Sequence, residues 1–110
     1  MSGSKSEVPH GTLDLLILKT LKSMGSLHGY RLARRIEQVS GDALRLNQGS
    51  IYPALIRLEQ QGWIGTEWGV SETGRKVKFY SLTPAGRKQL RIEIANWEST
   101  SALVARFLEG

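Results

Sequence analysis

From Leu90 onwards the apolar residues fall at alternating spacings of four and three: Leu90, Ile94, Trp97, then Val104 and Leu108, with Ser101 holding the register. That period is the seam of a coiled coil. The helix that carries it has a sharp start, with Thr83 at the cap position and Pro84 at the first helical position, where a missing N–H costs nothing. Running from Pro84 towards Leu108, it spans about 25 residues, roughly 37 Å at the standard rise. Leu103 and Phe107 widen its apolar surface beyond one seam. A chain of 110 residues closes only a small core, so this helix overhangs it. Either the helix packs within its own chain or it packs against a second copy. The apolar area otherwise left to water favours the second copy.

Upstream lie three shorter helical patterns and a hairpin. Leu13, Leu16, Ile17, Leu21 and Met24 make a wide apolar face that Leu15 and Leu18 extend, with Thr12 as N-cap, Asp14 in the first turn and Gly25 at the end. A helix apolar nearly all round must be covered on several sides. A second helix from near His28 to Ser40 stops at Gly41. It turns Leu32, Ala33, Ile36 and Val39 inward and Arg31, Arg34, Arg35 and Gln38 outward. The arginines read as a solvated face that supplies one or two phosphate contacts. "WIGTEW" (63–68) and "KVKFYSL" (76–82) have strand character. The polar "GVSETGR" between them is a longer hairpin loop, with Gly69 and Gly74 allowing it to bend.

The third helix poses a local puzzle. In "NQGSIYPALIRLEQQGW" (47–63) Ile51, Ala54, Leu55 and Leu58 mark one buried face, yet Gly49 and Pro53 sit in the front half. If Asn47 caps the helix, Pro53 removes an internal hydrogen bond and clashes with the Gly49 carbonyl, at about 3 kcal/mol. If Ser50 caps it, Pro53 falls in the first turn at no cost. Either way the front is shaped for close approach, and open N–H groups at a helix start bind phosphate well. Gln48, Pro53, Ile56 and Arg57 remain on the outward side. Gln48 suits adenine and Arg57 suits guanine or phosphate. Ile56 either meets a thymine methyl or is a scattered surface residue, and the second is the plainer reading.

Helix, helix, helix, β-hairpin, long helix is the order of a winged helix-turn-helix, whose third helix enters the major groove. The expected fold is therefore mainly α with a small β-hairpin. Residues 1–10 form a flexible tail, 11–82 the DNA-binding domain and 83–110 a C-terminal dimerisation helix. Arg75, Lys76 and Lys78 gather at the loop end and second strand of the hairpin, an electrostatic footprint on the wing. A net charge of +5 and a pI near 9.9 agree with a polyanionic partner.

Other chemistries find little material. The absence of cysteine excludes disulfides and thiolate sites. The two histidines (His10, His28) and two aspartates (Asp14, Asp42) are scattered, so no catalytic dyad, metal cluster or cofactor site assembles from sequence neighbours. "MSGSKSEVPHG" has no apolar signal-peptide core, and the run Leu13 to Leu18 is far too short to span a bilayer. A cytoplasmic location without membrane contact is the expectation.

At "HGYRLARRI", "LNQGSIYPALIRLEQQGWI" and "GRKVKFYSLTPAG" the sequence resembles the PadR family of bacterial transcriptional regulators, over roughly residues 10–108. The resemblance implies a dimeric winged-helix repressor of the short subtype on a pseudopalindromic operator. In such a dimer the last helix exchanges contacts with the partner's first helix. That places Leu13 and Leu16, with Leu90, Ile94, Trp97, Val104 and Leu108, at the dimer interface. By position, Ser50, Tyr52 and Arg57 would face DNA, with wing contacts from Arg75 and Lys76. Many relatives respond to small aromatic effectors, and Trp97 stands where similar short members sandwich flat ligands; the plainer role for Trp97 is filling the seam. The competing reading is a winged-helix protein-interaction module that has lost DNA binding.

Overall fold

The computed structural model describes residues 10–110. The elements run α1 (His10–Met24), β1 (Leu27–His28), α2 (Gly29–Val39), α3 (Gln48–Gln60), β2 (Ile64–Val70), β3 (Lys76–Leu82) and α4 (Pro84–Glu109). Apart from His10, the tail expected over residues 1–10 lies outside the described residues. Because α1 starts at His10, Asp14 is not in its first turn, and the expected dipole role falls away.

The core forms where the apolar stripes of three helices and one end of the sheet converge. Ile17 and Leu18 of α1, Leu32 of α2, Leu55 and Leu58 of α3 and Ile64 of β2 are sealed most completely, with Tyr80 and Leu90 closing the sides. Burial of this kind contributes about 1.5–3 kcal/mol per large side chain. Val39 does not join: α2 ends there, and the side chain is exposed.

The wing is a three-stranded antiparallel sheet in the order β1-β3-β2, one strand more than the hairpin expected. β2 and β3 pair from Ile64↔Leu82 out to Val70↔Lys76. Leu27 and His28 add the third strand by pairing with Tyr80 and Phe79, and the His28 and Phe79 rings meet edge to face at 5.6 Å. This short strand fixes the start of α2 beside the wing. At the other end α3 closes in a Schellman motif, in which Trp63 N donates to Leu58 O and Gly62 N to Glu59 O. The motif requires the left-handed φ of +79° at Gly62.

The start of α4 is as expected and tightly tied. Thr83 Oγ1 accepts from Gly86 N at 2.9 Å and donates to the Gly62 carbonyl at 2.7 Å. Gly86 and Leu90 are buried, and Ile94 packs at the margin of the core. From Trp97 to the end of α4 the chain covers the helix with nothing beyond partial shelter of Ser101.

Candidate nucleic-acid interface

At the front of α3 the two capping possibilities turn out to be one device. Asn47 is the N-cap: its Oδ1 accepts from Ser50 N at 3.1 Å. Ser50 Oγ in turn accepts from Asn47 N at 3.1 Å and donates to Asn47 O at 3.0 Å. Pro53 therefore lies inside the helix, where it withholds the N–H that the Gly49 carbonyl would have met. The Ser50 hydroxyl, expected to face DNA, is turned back onto Asn47, where it organises the helix start.

Around α3 the residues sort by angle. Ile51, Ala54, Leu55 and Leu58 are buried, and Gly49, Pro53, Ile56 and Gln60 share the opposite, exposed side. Arg57 is on neither. Its Nη2 donates to Asp14 Oδ1 of α1 at 2.7 Å, an ion pair screened from full solvent. The Arg57 guanidinium, expected to face DNA, is engaged with Asp14 at the flank of the helix and keeps about a third of its side chain exposed.

Gln48 and Tyr52 lie on the remaining flank and look across a groove of about 720 Å³ at Trp68, Arg75, Lys76 and Lys78 of the wing. Tyr52 crosses the first residue of α2 so closely that a Cβ on Gly29 would stand 2.7 Å from its hydroxyl oxygen. Beneath it, burial pushes the Tyr80 phenol above its ordinary pKa, with smaller contributions from Tyr52 and Glu59, so Tyr80 stays neutral at physiological pH. At the wing tip Ser71 N donates to Arg75 O, Gly74 N donates to Ser71 O, and Gly74 adopts a φ of +83°. Arg75 and Lys76 emerge exposed from that turn. The Lys76 and Lys78 ammoniums lie 5.2 and 5.7 Å from the centroid of the Trp68 ring. A basic wing facing the open flank of a helix start is a surface matched to a nucleic-acid backbone.

Residues 17–92 match the transcriptional regulator PadR-like family. The chain belongs to that family. Among solved structures, a transcriptional regulator from Clostridium thermocellum aligns with 88% of this chain and 93% of its own, at 29% identity and a TM-score of 0.80. A PadR-like regulator from Bacillus cereus aligns with 91% and 94%, at 30% identity and 0.77. The transcriptional regulator Rv3488 of Mycobacterium tuberculosis is 39% identical over 54 residues, 49% of this chain and 50% of its own. Membership places the protein among DNA-binding transcriptional regulators, not among enzymes. No helix among the described residues is long and apolar enough to cross a membrane.

The residues expected at the dimer seam of this PadR-like chain differ in their exposure within the subunit. Leu13 and Leu90 are each 3% exposed, inside the subunit's own core. Leu16 and Ile94 are half-buried at the core margin. Trp97, Val104 and Leu108 are exposed, at 56%, 47% and 82%, and line a shallow concavity of about 250 Å³ with Ser101. Of the outward arginines of α2, Arg31 reaches Glu72 of the wing loop at 3.2 Å and Arg34 reaches Glu37 at 3.0 Å.

Sequence reasoning missed two residues that shape the interface. Glu37 is buried, and its second carboxylate oxygen accepts from Leu46 N at 2.7 Å, which ties α2 to the segment entering α3. Trp68 carries no signal in the sequence beyond strand character. Gly69, expected to bend the loop, lies within β2 with the Phe79 ring against it.

Proposed function

We propose that this PadR-like regulator is a dimeric repressor. In this reading residues 11–82 grip one operator half-site, and residues 83–110 pair with a second copy. Gln48 and Tyr52 face the bases or their sugars, while Arg75, Lys76 and Lys78 hold phosphates. The observation that carries the reading is the position of the three basic wing residues across one groove from Gln48 and Tyr52. A small aromatic effector fits the remaining part of the proposal. Two Trp97 rings brought together at the seam would line an apolar cleft at an interface, a common ligand site, and a ligand there would alter the spacing of the two heads and release the operator.

The test is a shift assay with duplex DNA from upstream of its own gene, at several salt concentrations. Each phosphate contact contributes about 0.9 to the slope of log affinity against log salt. The Arg75→Ala/Lys76→Ala/Lys78→Ala variant is expected to lose about 2.7 from that slope per subunit and to bind at low salt only. A wild-type protein indifferent to every duplex at low salt would sink the proposal.

Gly29→Ala probes the other wall of the groove. Its methyl group would displace the Tyr52 ring, and a side chain can move where a backbone cannot. Thermal stability should therefore stay within about 1 kcal/mol of wild type. DNA affinity should fall about tenfold, the lower end of what one good contact contributes. Full affinity would remove Tyr52 from the interface.

A further inference from the structure

We propose that Trp68 is the positioning residue of the wing: its indole gathers Lys76 and Lys78 into one pre-aimed pair before DNA arrives. This rests on the reading of the wing lysines as phosphate contacts and adds to it a residue that touches no phosphate.

Trp68 is 61% exposed in β2, where ordinary packing would not hold a large apolar ring. The strand register explains its place. Trp68 is directly opposite Lys78, and the next pair outward on the same face is Val70 opposite Lys76. The ring therefore lies between two lysines two residues apart on β3, and both ammoniums approach its centroid within 6 Å. Free lysine side chains at this spacing would spread apart, since like charges repel and each chain has many rotamers. The negative face of the indole offsets that repulsion and confines both chains. The pair so formed opens onto the groove shared with Gln48 and Tyr52. Ordering the side chains in the free protein removes that loss of freedom from the binding step. A residue acting this way changes affinity but leaves the number of displaced counterions, and so the salt slope, untouched.

The experiment compares wild type, Trp68→Ala, Trp68→Phe, Lys76→Ala/Lys78→Ala and the triple variant of all three positions (Trp68→Ala). Each binds the same upstream duplex across a salt series, with thermal melts alongside. Trp68→Ala is expected to lose affinity about fivefold at the wild-type slope, and Trp68→Phe to recover most of it. In the lysine-free background Trp68→Ala should change nothing further. Wild-type affinity in Trp68→Ala overturns the proposal. So does a lowered slope, or an undiminished loss in the lysine-free background, which would make the indole a DNA contact in its own right. Should the double lysine variant itself bind with unchanged affinity and slope, the phosphate reading of the wing fails, a separate result from the failure of Trp68 alone.

Discussion

Gly86→Ala should destabilise the fold by about 3 kcal/mol, the upper end of the usual overpacking range. A Cβ at this position would stand 1.9 Å from the Trp63 carbonyl oxygen and 2.9 Å from Leu82 Cδ1. The first of these is backbone and cannot rotate away. The alternative is for α4 to step back, but the same turn is tied down. Gly86 N donates to Thr83 Oγ1, Thr83 Oγ1 donates to Gly62 O, and Thr83 N donates to Trp63 O at 3.1 Å. Retreat strains these bonds together, at about 1 kcal/mol each. The better helix propensity of alanine returns about 1 kcal/mol and does not reverse the sign. For a domain of this size each kcal/mol moves the melting temperature by about 4–8 °C, so circular dichroism should show a fall of about 12–24 °C at matched protein concentration. Arg87→Ala, at the exposed neighbour, should stay within about 0.5 kcal/mol of wild type. A Gly86→Ala protein as stable as the Arg87→Ala control would mean that α4 is not locked against Trp63.

This contact explains a residue that the sequence presented only as part of a pattern. The cap at Thr83 and Pro84 was readable because capping is chemistry between neighbours. The reason for Gly86 is a carbonyl 23 positions earlier, which no local rule exposes. The same divide runs through the rest of the fold. The helices and the β2–β3 hairpin follow from apolar period and turn residues. β1 has two residues, too few for any period, and exists only because β3 offers an edge. Asn47 and Ser50 seemed rival caps because each alone satisfies the rule, whereas in the fold each caps the other.

The candidate interface divides in the same way. Arg75, Lys76 and Lys78 stood out as a run of charge beside a turn. Trp68 did not, since its meaning depends on which β3 residue is opposite it, and a slip of one residue would turn it to the other face. Arg57 stands out in the sequence as a cation on α3, but its ion pair does not. Its partner Asp14 lies 43 positions away, and only the packing of α1 on α3 brings them together. Leu90 and Leu108 share one heptad period in the sequence, yet one closes the subunit core and the other meets water. Period reports that a face is buried, not which chain buries it.

That last distinction sets the second large effect. Val104→Asp together with Leu108→Asp should leave the subunit folded and abolish pairing. Both side chains are exposed, and neither belongs to the core, so the winged-helix unit should melt as a monomer with its own core intact. In a two-fold dimer each substitution enters the interface twice. An unpaired charge buried there costs about 3–5 kcal/mol, and four such charges exceed what a seam of this length can supply. Sedimentation should find wild type at twice the mass of the chain and the variant at one. Operator affinity should fall along with pairing. Two heads held about one duplex turn apart, roughly 34 Å, bind as one ligand with an effective concentration near millimolar, and uncoupling them costs about 10²–10⁴ in avidity. Binding to a single half-site at low salt should survive, because the groove of each subunit is unaltered. A wild-type protein that sediments as a single folded subunit would refute the paired arrangement. A variant that still pairs would move the interface off the distal half of α4.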